Sequence, residues 1–337
     1  MNSWGDIFRV TIWGESHGAQ VGVSIDGVPA GIALCEEDFV ADLDRRRAGA
    51  AGTTPRKESD IPHIVSGWYN GYTTGSPLTI EFLNENTRSG DYKNLITHPR
   101  PSHADWVAQK KWNGHNDPRG GGHFSGRLTL GLVAAAVVAK KILGDNVQFS
   151  TNIIEIGGEQ DSTKFDQIIE QARMSQDSVG GVVECRTNDI EAGLGEPFFD
   201  SAESLIAHLL FSVPAVKGVE FGDGFGISAM TGAEANDTLH FEDGKVVADT
   251  NHNGGITGGI TNGMPVIFRC AVKPTPTISK EQETINFVTK ENVTTTVHGR
   301  HDPCIVHRAR VVVDSITALV LCDLLSQKFG TDWLGEN

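Results

Sequence analysis

Two stretches decide the fold: residues 127–143, RLTLGLVAAAVVAKKIL, and residues 310–325, RVVVDSITALVLCDLL. Both are apolar nearly all round and rich in Ala, Val and Leu, the pattern of helices buried on most faces. The apolar run from Leu128 to Ala139 stops at Lys140 and Lys141. It falls short of the roughly 18 residues that would suggest a membrane span.

Working outward, the same features precede each helix in the same order. VGVSIDGVPAGIAL (21–34) leads into a helical stretch, EEDFVADLDRRR (36–47), and GVVECRTNDIEAGLG (181–195) leads into SAESLIAHLLFS (201–212). TTGSPLTIEFLN (73–84) then echoes TNGMPVIFRCAV (261–272), each a Gly-x-Pro turn before an alternating strand. The repeat is far longer than a solenoid period and implies two related halves, about 1–145 and 180–330, within one domain over 1–337. Alternating strands after turn-rich loops suit antiparallel sheets, so the fold class is α+β, with central helices flanked by a sheet in each half. Asp200 with Glu203 is expected to cap the helix at 201, while Cys35 is a weak cap near 36.

The chain has 337 residues, 39% hydrophobic and 21% charged, with a net charge of −15. That composition is globular, and that charge disfavours nucleic acid and anionic lipid as partners. Glycine is abundant, at 39 residues, which anticipates many turns or close backbone approaches to a ligand. Five scattered cysteines, Cys35, Cys185, Cys270, Cys304 and Cys322, form no CxxC pair and read as reduced thiols of a cytoplasmic protein. The N-terminal MNSWGDIFRV has no signal-peptide pattern.

Several motifs carry chemistry. Gly14-Glu15-Ser16-His17-Gly18 fits the G-x-S-x-G elbow of serine hydrolases, which needs a strand before it and a helix after it. VGVSID follows instead, so a Gly-flanked hairpin turn presenting a titratable His17 is the competing reading. Arg45, Arg46 and Arg47, with Arg56 and Lys57 beyond, suit either a small polyanion or structural salt bridges. In His98-Pro-Arg100-Pro-Ser-His103-Ala-Asp105, Asp105 is placed to orient an imidazole. Arg119-Gly120-Gly121-Gly122-His123-Phe124-Ser125-Gly126-Arg127 runs into the first long helix, a ready phosphate cradle. The glycine loops at 222–226 and 254–259 are weaker versions. His298, His301, Cys304 and His307 recur every third residue, but Pro303 interrupts any helix aligning them, so no metal site is expected. Arg300-His301-Asp302-Pro303 suits acid–base work beside an anion.

Taken together these residues resemble chorismate synthase almost end to end. The match includes GESHG (14–18), DLDRRR (42–47), RP-x-HAD (100–105), RGGG with its downstream S-x-R (119–127) and GLGEP (193–197). It continues through GGI-x-GGI (254–260), KPTPT (273–277) and GRHDPC (299–304). The resemblance implies a β-α-β sandwich with internal pseudo-symmetry, assembled as a homotetramer. It implies a lyase that takes 5-enolpyruvylshikimate 3-phosphate to chorismate by anti-1,4-elimination of phosphate, the last step of the shikimate pathway, with reduced FMN. His17 would protonate the leaving phosphate. His103 would balance charge on the reduced flavin, and Asp302 would help accept the substrate proton. Arg46, Arg127 and Arg300 would bind the substrate's anionic groups. FMN contacts would come from His123, Phe124, Ser125, Pro214, Ala215, Gly258, Lys273, Pro274, Thr275, Pro276, Thr277 and Arg300.

The chain departs from the commonest family pattern in several places, the first at Ser102, where the family's RPGHAD has Gly. His123 stands where the family usually carries a cation in R-S-S-A-R-E-T. Ala50, Ala51 and Gly52 stand where an Arg near Thr53 and Thr54 is linked with nicotinamide phosphate, which leaves Arg46 alone for NADPH and argues against intrinsic flavin reduction. Two other readings are a flavin-binding homologue without turnover and a serine esterase using Ser16.

Overall fold

The computed structural model describes residues 1–47, 59–85, 97–297 and 302–331. The first half contains strands β1 (Ser3–Trp4), β2 (Arg9–Gly14) and β3 (Gln20–Asp26), then helix α1 (Val40–Arg46), β4 (His63–Ser66) and β5 (Leu78–Leu83). The short helix α2 (Asp105–Lys111) and the long helix α3 (Thr129–Leu143) complete it. The second half runs β6 (Gln148–Ile156), α4 (Phe165–Met174), β7 (Gly181–Asn188), α5 (Ala202–Leu210), β8 (Val216–Phe221), β9 (Val266–Val272) and α6 (Val306–Phe329).

The first sheet has the order β1-β2-β3-β5-β4, and the second β6-β7-β9-β8. All these pairings are antiparallel. Setting β1 aside, the two orders match strand for strand along the chain. Alternation sets which face is buried. Val21, Val23 and Ile25 lie opposite Phe82, Ile80 and Leu78, all buried. Val183 and Cys185 lie opposite Cys270 and Phe268 in the same way.

Helices α3 and α6 form the middle layer, α3 against the first sheet and α6 against the second. Gly131 admits that contact: a methyl group there would come within 3.1 Å of the Gly22 carbonyl on β3. Two buried carboxylates of α6 are satisfied by distant segments. Asp323 accepts from the amides of Ile7 and Phe8, each at 2.8 Å, and pins the N-terminal segment to the helix. Asp314 accepts from Lys140 at 2.9 Å, from Thr151 at 2.8 Å and from Arg45, tying α1, α3 and β6 to α6.

Two local expectations change. The cap of α5 is Ser201, whose hydroxyl accepts from the Ser204 amide at 3.1 Å. Asp200 is occupied in a preceding 3-10 turn, so it cannot take the extended conformation of an N-cap. The stretch after Gly14 enters β3 through a hairpin rather than a helix, so the strand–turn–helix elbow of a serine esterase does not form.

Candidate active site

The hairpin between β2 and β3 delivers Ser16 and His17 into the interior, 3% and 6% exposed. The Gly18 amide donates to the Glu15 carbonyl at 3.0 Å, closing a tight turn. The Ser16 amide donates to Gly122 O at 3.1 Å, and Ser16 Oγ lies 3.3 Å from His17 Nδ1.

The triple glycine lies beneath two imidazoles. Gly120, Gly121 and Gly122 all have positive φ, at 59°, 85° and 54°. A methyl group on Gly120 would sit 2.2 Å from His17 Cε1, and one on Gly121 would sit 3.4 Å from His103 Nε2. Loop residues 120–121 thus bring together two histidines that are far apart in sequence.

His103 is held by a charged frame. Its Nδ1 lies 2.6 Å from Asp105 Oδ1, and Arg100 binds the same carboxylate with Nε and Nη2, each at 2.8 Å. Arg100 also donates to Thr277 Oγ1 at 3.0 Å, and Lys273 Nζ donates to the Ser102 carbonyl at 2.8 Å. Burial pushes the His103 imidazole below its ordinary value; Asp105 opposes this, and the positive charges of Arg100 and Lys273 reinforce it. Burial alone would raise Asp105, but hydrogen bonds from Arg100 and His103 prevail and hold its carboxyl well below the usual range. His103 is therefore neutral near pH 7, donates from Nδ1 to the carboxylate, and turns the Nε2 lone pair toward the glycine loop.

A cationic cluster sits beside this frame. Arg127, 8% exposed, donates to Asp60 Oδ1 at 2.8 Å, to Leu83 O at 3.1 Å and to Asn84 Oδ1. Arg46, 3% exposed, donates to Thr129 Oγ1 and Gly126 O, each at 2.8 Å, and lies 3.6 Å from Asp60. Arg308 donates to Arg46 O at 3.0 Å and pairs with Asp302 at 2.8 Å. Burial and then the Arg308 charge push the Arg46 guanidinium down to about 9, with Asp60 opposing. Among the described residues, three guanidiniums share two carboxylates, an arrangement suited to an anion. Within the arginine run, Arg45 pairs with Asp42 and Asp314 and Arg47 with Asp44, the structural salt bridges, whereas Arg46 is turned inward.

The other expected contact residues divide. His123 bonds Gly14 O at 2.8 Å and Asn2 Oδ1 at 3.0 Å. The Phe124 ring lies 5.4 Å from that of Trp112, and Ser125 Oγ accepts from the Arg127 amide at 3.3 Å. Ala215 O accepts from the Lys273 amide at 2.9 Å, which sets Pro214 and Ala215 beside the 273–277 segment. Ser178 Oγ donates to Thr275 O at 2.7 Å. Thr277 and Lys273 join this segment to the His103 frame. Gly258 is tied elsewhere, in a hairpin (256–261) bound to residues 194–202. Arg300, His298, His301, Arg56, Lys57 and the 50–54 stretch lie outside the described residues. Among the described residues no group of three or more His, Cys, Asp or Glu side chains suits a metal ion.

Sequence reading singled out neither Asp60, Asn84 nor Arg308. Asp60 and Asn84 are isolated polar residues near strand ends, and Arg308 sits past the GRHDPC motif on a helix. Only their partners, distant in the chain, give them meaning.

The comparisons agree on one family. The sequence profile of the chorismate synthase family matches residues 8–326. A chorismate synthase from Chitinophaga pinensis is 55% identical over 325 residues, covering 96% of each chain. One from Lachnospira eligens is 44% identical over 346 residues, covering 96% of this chain and 94% of that one. A crystal structure of a chorismate synthase is similar with a TM-score of 0.75 at 25% identity, covering 99% of this chain and 96% of the other.

Proposed function

Since the chain belongs to the chorismate synthase family, we infer that the cluster around His17, His103 and Arg127 is where this carbon–oxygen lyase works. The enzyme takes 5-enolpyruvylshikimate 3-phosphate to chorismate and phosphate by anti-1,4-elimination in the shikimate pathway. The substrate carries one phosphate and two carboxylates, and the guanidinium cluster of Arg46, Arg127 and Arg308 is the observation that carries the assignment. Guanidiniums bind such groups with paired, directional hydrogen bonds. Arg300 completes the set by resemblance.

His17 is assigned the proton for the departing phosphate oxygen. Its place in a tight turn against Gly120 keeps it at one position. Asp302, paired with Arg308, is assigned the help in taking up the proton lost from the substrate ring.

The family uses reduced FMN, and the residues here fit it. Lys273 and Thr277, bonded to the loop and the guanidinium that frame the neutral His103, supply an ammonium and a hydroxyl suited to a flavin phosphate. His123, Phe124, Ser125, Pro214, Ala215 and the 273–277 segment would hold the cofactor, with Gly258 at a more distant position. When bound, the cofactor supplies an electron-rich ring. Neutral His103 adds no positive charge before the ring binds and takes one up if the ring needs it. Arg46 is taken up by the substrate's anionic groups in this reading, which favours reduced flavin supplied from outside over reduction by NADPH bound at Arg46.

The matched strand orders support a single domain of two related halves. Phe198, Phe199, Phe225 and Phe241 are exposed in the second half and support the homotetramer as their cover. All five cysteines are free, which favours the cytoplasm. No helix among the described residues is long and apolar enough to cross a membrane.

The test is an anaerobic assay with the enolpyruvyl phosphate and dithionite-reduced FMN, with and without NADPH. Phosphate and chorismate should appear in equal amounts, and turnover should not occur with NADPH and oxidised FMN alone. Flavin binding by folded protein without product would instead identify a homologue that has lost the chemistry.

A further inference from the structure

We propose that Asn84 is a positioning residue that fixes the distance between the proton donor and the anion clamp. Its Nδ2 donates to Glu15 O at 3.1 Å and to Gly18 O at 2.9 Å, the two carbonyls that bracket the His17 turn. Its Oδ1 accepts from Arg127 Nε, and its backbone amide donates to Ala19 O at 3.0 Å. The three side-chain bonds fix which end of the amide is which, since two carbonyls require the NH2 group and a guanidinium requires the oxygen.

One rigid plane, set at the end of β5, therefore couples the turn that carries His17 to the side chain of Arg127. No other side chain of this size offers two donors and an acceptor at that spacing. Aspartate would keep the acceptor for Arg127 but set a carboxylate against two carbonyl oxygens. Alanine would release both partners. Misplacing a proton donor by about 1 Å is enough to cost on the order of 10²-fold in rate.

The inference rests on the assignment of His17 and Arg127 above, and its test separates the two. In the full-length enzyme, assayed without oxygen, Asn84→Asp should lower kcat on the order of 10²-fold while KM stays within about threefold, because Arg127 keeps its acceptor. Asn84→Ala should lower kcat equally and raise KM as well. In a His17→Ala background, Asn84→Asp should cost less than about threefold further, since its effect passes through His17. Equal losses in both backgrounds, or unchanged kcat in both single variants, would overturn the proposal. Full activity of His17→Ala alone would instead remove His17 as the acid. Positioning is then decided by the ring-nitrogen NMR shifts of His17, which Asn84→Asp should move while those of His103 stay in place. Unmoved His17 shifts would end it.

Discussion

Gly120 lies so close to His17 that a methyl group on its Cα would fall 2.2 Å from imidazole Cε1 and 2.3 Å from Nδ1. The ring cannot keep its position beside any other residue. Gly120→Ala should therefore cut kcat on the order of 10²-fold while reduced FMN still binds, as should His17→Ala. Gly121→Ala meets His103 at 3.3 Å and beyond, so backbone strain at its positive φ dominates, worth about 1–2 kcal/mol of stability. Rapid-mixing kinetics and urea midpoints on the three variants check this. Wild-type kcat in Gly120→Ala would contradict it.

The Arg100–Asp105–His103 frame sets a pH dependence. His103 titrates below its unfolded value in the native state. Its preference for the neutral form is fully satisfied above about 6.5, and stability falls as pH drops from there to the native value. Asp105 is the group resisting that depression, so Asp105→Asn should depress His103 further. The stability gap between variant and wild type should widen between pH 6.5 and 5, followed by chemical denaturation. Parallel curves would mean that the carboxylate does not act on the ring.

Arg46 gives the opposite sign for folding and for binding. Its guanidinium is pushed down to about 9 by burial and by Arg308. Without ligand, the cost of keeping it charged is relieved as pH rises through that value, so stability should increase slightly. Substrate anions need the charge, so KM should rise over the same range. Measurement of KM from pH 8 to 10 decides; a flat profile would remove Arg46 from the anion contacts. Arg46→Lys should raise KM about tenfold or more at pH 7.5, since a compact ammonium lacks the planar fork that spans Thr129, Gly126 and an anion at once.

Asp314 is buried at the meeting of α1, α3, α6 and β6. Asp314→Asn leaves Lys140 and Arg45 with Asp42 as their counter-ion and removes the buried carboxylate that both also bind, a loss of about 1.5–3 kcal/mol. Equilibrium unfolding in urea should show it, with KM for the enolpyruvyl phosphate unchanged. A loss below about 1 kcal/mol would place those cations in water instead.

Sequence by itself determined the parts whose cause is local. Alternation at Val21, Val23 and Ile25 and again at Leu78, Ile80 and Phe82 requires only neighbours two residues away. The all-round apolar character of 127–143 and 310–325 fixes buried helices in the same way. Motif order fixed the family, because many short matches in sequence are specific where each alone is weak. Tertiary structure alone decided what these elements bring together. It turned Arg46 inward and Arg45 and Arg47 to ion pairs, though the three are adjacent. It chose Ser201 over Asp200 as a cap, placed His17 and His103 over consecutive glycines, and gave Asn84 its partners. These outcomes depend on contacts between segments tens to hundreds of residues apart, and such contacts leave no periodic trace in the chain.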